Sequence, residues 1–247
     1  MPTSQDILDA AFLSNLAYSN NPPPNAGQGW TVLSRADLGL TQSQWDNDSL
    51  DGDNSQTLFD NLNAQGIVAV NGNTLSIAFR GTSFITDLVS DLVGGIFSFS
   101  SHFNLFSNLI TAAENYARNP ANHISSVLVA GHSLGGAMVE MYLAATRNSD
   151  LNITGVTFGS PGSKDIAPSI TVDSRLLNIG HLGDPVFRAT FGEIVQGLDV
   201  GVDLPSTQDL NSLGALLSFW TLTGSKGEHD LFQERLINRF GSAEFVV

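Results

Sequence analysis

The 247-residue sequence contains no cysteine. That absence excludes a disulfide framework, a thiolate nucleophile and any thiolate-ligated metal. Cations are scarce as well: 10 Lys and Arg stand against 24 Asp and Glu, a formal net charge of −14. Nucleic-acid binding draws on clustered Lys and Arg that displace phosphate counterions, and ten such residues spread along the chain form no basic stripe. Nucleic acid is therefore not an expected partner, and anionic membrane surfaces are disfavoured on the same ground. Long hydrophobic runs are missing too. The longest, around residues 213–222, is interrupted by Ser218 and Thr221 and falls far short of the roughly 20 residues that a spanning helix needs. Met1-Pro2-Thr3-Ser4-Gln5-Asp6 has neither the basic nor the apolar segment of an amino-terminal export signal. What is present is a globular composition, 42% hydrophobic and 14% charged, long enough to bury a sizeable core.

Apolar residues at helical spacing over residues 6–18 predict a first helix, with Ser4 as the cap. The three prolines at 22–24 then impose a loop. Asp46, Asp48, Asp51 and Asp53 crowd a second loop, but no register supplies the oxygen ligands and glycine of a calcium-binding hand, and an exposed acidic turn is the expectation. From residue 66 the pattern alternates. Strand-like runs at 66–70 and 74–79 flank Asn71-Gly72, a hairpin signal. Then follow the end of a helix at 111–118, a buried strand at 126–130, a helix at 135–147, and strands at 153–158 and 175–179. Strands alternating with helices imply a mostly parallel sheet covered on both faces, in one α/β domain over residues 1–247.

Gly131-His132-Ser133-Leu134-Gly135 sits between the predicted strand Val127-Leu128-Val129-Ala130 and a helix that begins with Gly135-Gly136-Ala137. A strand-turn-helix elbow lifts a serine hydroxyl above the sheet edge, and glycines on either side leave room for the turn. A serine nucleophile needs a base, and the base needs a carboxylate to orient it. The chain has five histidines, at 102, 123, 132, 181 and 229. Of the two after Ser133, only His229 leaves a whole strand and loop in which an acid can come first, the order Ser, acid, His of such elbows. Between them lie Asp165, Asp173, Asp184, Asp199 and Asp203. Asp184 is favoured because it follows the strand at 175–179, where catalytic loops leave carboxyl ends of strands; the others lie in segments that read as exposed loops. Oxyanion donors are expected from the N–H of Leu134 and from Thr82, in the loop after Ile77-Ala78-Phe79-Arg80-Gly81.

This set of residues resembles the fungal-type, class 3 lipase family of α/β hydrolases, from about residue 66 to residue 229. The resemblance rests on Ile77-Ala78-Phe79-Arg80-Gly81-Thr82, on Val129-Ala130-Gly131-His132-Ser133-Leu134-Gly135-Gly136, on the segment that ends in Asp184-Pro185-Val186, and on His229. It implies an α/β-hydrolase fold with Ser133, Asp184 and His229 as triad and Thr82 and Leu134 as oxyanion hole. It also implies a short helical lid after the oxyanion loop. Phe84, Ile85, Leu88, Val89 and Leu92 form an apolar helical stripe there, and Asp91 stands where the family braces the oxyanion residue. An amphipathic core helix would show the same periodicity. Residues 191–226 have no counterpart in the resemblance, and their apolar segment 213–220 would either border an acyl groove or fill the core.

The expected activity is therefore a serine carboxylester hydrolase acting on lipid esters without metal or organic cofactor. Triacylglycerol lipase leads; phospholipase A1 and a feruloyl-type esterase stay open, and so does a silent lipid-binding protein of the same fold. The expected partner is a lipid ester at a lipid–water interface, and the oligomeric state stays open. The terminal Glu244-Phe245-Val246-Val247, an acidic residue followed by apolar ones, resembles the signal of bacterial type I secretion and would make the protein extracellular.

Overall fold

The computed structural model describes residues 1–46, 55–81, 98–162, 173–181 and 198–202. The first helix, α1 (Ser4–Leu16), starts because Thr3 and Asp6 cap it reciprocally. The Asp6 N–H donates to the Thr3 hydroxyl, and the Thr3 N–H donates to the Asp6 carboxylate at 2.6 Å. Thr3, one residue before the expected Ser4, is thus the cap, since a threonine three residues before a carboxylate satisfies two end groups at once. Two short antiparallel strands follow, β1 (Asn25–Gly27) and β2 (Trp30–Val32), then the single-turn helix α2 (Gln42–Trp45) and β3 (Phe59–Asn61). None of these short pieces shows in the periodicity, because three or four residues are too few to establish one.

The expected hairpin is present as β4 (Ala64–Asn71) and β5 (Thr74–Phe79). Its turn consists of Gly72 and Asn73, and Gly72 takes a φ of 57°. After α3 (Phe99–Leu105) and α4 (Ser107–Arg118) the chain alternates through β6 (Ser126–His132), α5 (Leu134–Ala145), β7 (Ile153–Phe158), β8 (Leu176–His181) and β9 (Leu198–Val202). Strands β5 to β9 are mutually parallel and adjacent in chain order, and β4 and β2 extend the sheet antiparallel on the other side of β5. Strand β9 lies in the stretch for which the sequence offered no assignment.

Strands β5, β6 and β7 carry mostly apolar residues buried on both faces, with Ser76 and Thr157 as buried polar exceptions, as a position between two helical layers requires. On β6, Val127 and Val129 face the side covered by α3, α4 and α5, while Leu128 and Ala130 face α1. The first side is filled by large rings: Phe106 meets Phe79 edge to face at 4.8 Å and stacks on Phe59, which in turn meets the Trp45 indole. On the second, Ile7, Ala10, Ala11 and Leu13 of α1 lie over Ile67, Ala69, Ala78 and Ala130. Alanines under α1 hold it close to the sheet, which carries its carboxyl end, with Tyr18, to the end of β6.

Candidate active site

Ser133 stands between β6 and α5 with φ 54° and ψ −126°, a conformation outside the regions open to ordinary residues. Its N–H donates to the carbonyl oxygen of Phe158 at the end of β7, at 2.9 Å, and Gly136 N–H donates back to the Ser133 carbonyl at 2.8 Å. The turn is thus held through the main chain. The side chain stays uncommitted: Oγ is buried and has no hydrogen-bond partner among the described residues, and it does not cap α5. A buried, strained and unsatisfied serine is costly, which marks functional sites more often than structural ones.

The glycines around it are required by close backbone approach. A Cβ at Gly131 would collide with the backbone of Gly135 and lie 2.8 Å from the Gly136 nitrogen. At Gly135 it would strike the Phe79 carbonyl and come within 3.1 Å of Arg80, so β6, α5 and the end of β5 meet at van der Waals limits. Leu134 is the first residue of α5, so its N–H has no acceptor within the helix. That donor, which points out of the helix, and the positive end of the helix dipole both favour negative charge beside Ser133, as an oxyanion hole demands.

Two further groups complete the described part of the site. His132 is 2% exposed, and burial holds its imidazole down to about 3, so the ring is neutral. Its Nδ1 lies 2.8 Å from the Tyr18 hydroxyl, and Tyr18 lies beneath Arg80, whose guanidinium sits 5.5 Å from the ring centroid. His132 and Arg80 belong to the elbow and oxyanion-loop motifs, but Tyr18 does not stand out in the sequence as part of a site. A tyrosine just past an amphipathic helix carries no local signal, and only the packing of α1 brings it to the nucleophile. Behind the elbow, the buried Glu140 of α5 accepts a hydrogen bond from Ser160 at 2.7 Å, fixing the loop that leaves β7.

Among the expected acids, Asp173 pairs with Arg175 at 2.6 Å. Burial opposes ionisation of Asp173, but the hydrogen bonds and charge of Arg175 outweigh it and hold the carboxyl below its usual range. Asp173 precedes β8 and so lies at the end of the sheet opposite Ser133. Asp199 belongs to β9, facing Asn178 in register, and not to an exposed loop. Strand β8 ends at His181 on the Ser133 side of the sheet, just before Asp184. Asp184, His229, Thr82, Asp165 and Asp203 lie outside the described residues, and so do the lid segment with Phe84, Ile85, Leu88, Val89, Asp91 and Leu92, Asp48, Asp51 and Asp53 of the acidic turn, residues 213–220 and the terminal 244–247. Asp46, the first residue of that turn, caps the carboxyl end of α2.

A family model of phospholipase-like proteins, the Tle-like phospholipase domain, matches residues 9–167. The chain belongs to this family. As a Tle-like phospholipase domain it is similar to a lipase of Pseudomonas fluorescens, 29% identical over 195 residues that make up 70% of this chain and 39% of that protein. The chain thus spans about two fifths of that relative's length. Its fold is that of Lip2 lipase from Yarrowia lipolytica, with a TM-score of 0.54 at 18% identity over 80% of this chain and 78% of that one. The lipase of Rhizopus microsporus var. chinensis superposes equally well, with a TM-score of 0.54 at 18% identity over 83% of this chain and 77% of that one. The Tle-like domain therefore has the α/β-hydrolase fold of the fungal lipases, as the motifs implied, and the family match over residues 9–167 includes the second half of α1 and the Ser133 elbow. No helix among the described residues is long and apolar enough to cross a membrane.

Proposed function

We propose that this protein is a serine carboxylic ester hydrolase that cleaves lipid esters. The observation that carries the proposal is Ser133 in a strained elbow at the start of α5, its buried hydroxyl without a hydrogen-bond partner among the described residues and next to the helix N-terminus. The lipase named among its relatives and the family's phospholipase description support a lipid ester as substrate. In the proposed mechanism Ser133 attacks the ester carbonyl, His229 takes its proton and returns it to the leaving alcohol, Asp184 orients His229, and Leu134 and Thr82 bind the oxyanion. Water then releases the fatty acid from the acyl-enzyme.

Triacylglycerol is the first substrate to test, on the lipase named among the relatives. The phospholipase description of the family favours a second reading, cleavage of a phospholipid acyl ester. In either case a net charge of −14 favours neutral or zwitterionic interfaces over anionic ones. The segment 84–92 is proposed as a lid that opens at such an interface, and 244–247 as an export signal. The deciding experiment compares p-nitrophenyl esters of graded chain length, a triacylglycerol emulsion and phosphatidylcholine vesicles, with Ser133→Ala alongside. Undiminished hydrolysis by Ser133→Ala would overturn the mechanism. A preference for short soluble esters without activation by an emulsion would remove the lid.

A further inference from the structure

We propose that Tyr18 is a positioning residue, tying the oxyanion loop to the nucleophile elbow through its single hydroxyl. The inference rests on the reading of Ser133 as nucleophile and adds a part to that machinery from the amino-terminal helix. The hydroxyl lies 2.8 Å from Nδ1 of His132, the residue before Ser133, and accepts a hydrogen bond from the N–H of Gly81, the residue before Thr82. Because Gly81 fills the acceptor side of the phenol, the phenolic proton is assigned to Nδ1. Burial supports this assignment, since it keeps the phenol protonated and the imidazole neutral.

The bridge is built to close tolerance. A Cβ on Gly81 would meet the Tyr18 hydroxyl and the His132 carbonyl, and would lie 3.2 Å from Cβ of Ser133. Arg80 secures the same corner from outside, its guanidinium over the Tyr18 ring and its Nη1 donating to Asn20 Oδ1 at 3.0 Å. The end of β5 and the end of β6 thus share one anchor that belongs to neither. Oxyanion donors and nucleophile must hold their relative positions closely, because displacement of about 1 Å costs on the order of a hundredfold in rate. A hydroxyl that bonds to both flanking residues sets that spacing.

The test measures p-nitrophenyl ester hydrolysis by the wild type, Ser133→Ala, Tyr18→Phe, His132→Gln and His132→Leu, with thermal unfolding of each. Tyr18→Phe is expected to lose about ten- to a hundredfold in kcat with KM changed less than about twofold, and to lose the same factor in its rate of covalent inactivation by diethyl p-nitrophenyl phosphate. His132→Gln keeps an acceptor for the phenol and is expected to stay within about threefold of wild-type kcat, whereas His132→Leu falls with Tyr18→Phe. The double variant Tyr18→Phe/His132→Leu is expected to be no worse than either single variant. A Tyr18→Phe enzyme with kcat within about twofold of wild type overturns the proposal, as do equal losses in His132→Gln and His132→Leu. If the wild type lacks Ser133-dependent hydrolysis, it is the serine-hydrolase reading that falls.

Discussion

The N–H of Ser133 donates to the carbonyl oxygen of Phe158 at 2.9 Å, joining the turn after β6 to the last residue of β7. The residue is held by its main chain alone, and its hydroxyl contributes no described hydrogen bond. Stability and chemistry therefore separate at this position. Ser133→Gly is expected to remove ester hydrolysis, a loss of at least about a thousandfold, and to raise the unfolding free energy by about 1 kcal/mol by relieving the φ of 54°. Urea unfolding at neutral pH checks the second half. A less stable Ser133→Gly protein would mean that the side chain supports the fold.

Gly135→Ala makes the opposite prediction. The added methyl group meets the Phe79 carbonyl, which is backbone and has nowhere to go without moving β5. The variant is expected to lose at least about 3 kcal/mol or to fail to fold. Wild-type urea unfolding in Gly135→Ala would show that α5 can slide away from β5.

Arg175 links the end of α5 to the start of β8. Its guanidinium donates to the carbonyls of Leu143 at 2.6 Å and Thr146 at 3.1 Å, and pairs with the half-buried Asp173. Arg175→Ala is expected to lower the unfolding free energy by about 2 kcal/mol, since the last carbonyls of α5 lose a cationic donor. Lysine reaches one of these groups at a time, so Arg175→Lys should recover less than half of the loss. Full rescue by lysine would reduce the residue to its charge.

Acid sensitivity should follow two histidines, the partly buried His102 and the buried His132. Burial lowers His102, set edge-on to Phe106, to about 4, and His132 to about 3. Both are bases with depressed folded values, so their stabilising contribution is complete above the unfolded value of about 6.5 and is lost as pH falls towards those lower values. Each contributes a slope of about 1.4 kcal/mol per pH unit in that window. Urea titrations from about pH 7.5 down to about pH 5 should show the decline, and His102→Phe should make it shallower by about that amount. An unchanged slope in His102→Phe would show that His102 takes up its proton as readily in the folded protein as in the unfolded chain.

Much of the architecture is legible in local pattern. The apolar run at 126–130, the Gly131-His132-Ser133-Leu134-Gly135 elbow and the strand at 153–158 are such patterns, and the structure has β6, α5 and β7 there. Short elements escape because β1, β2, β3 and α2 are too brief to show a period. Asp173 reads as exposed loop in the sequence because its partner, Arg175, is held in place only once α5 and β8 are packed together.

Local sequence determined the strand-turn-helix elbow, because a tight turn with backbone approaching on both sides admits little but glycine around a serine. It also determined two-sided burial of β6, because the unbroken apolar run 127–130 leaves no face for water. What only the tertiary structure decided is which distant groups meet Ser133. Tyr18 reaches His132 across 114 positions of chain, and that contact depends on small side chains letting α1 settle on the sheet. Periodicity encodes which face of a helix is buried, but not the atom to which its last side chain is delivered.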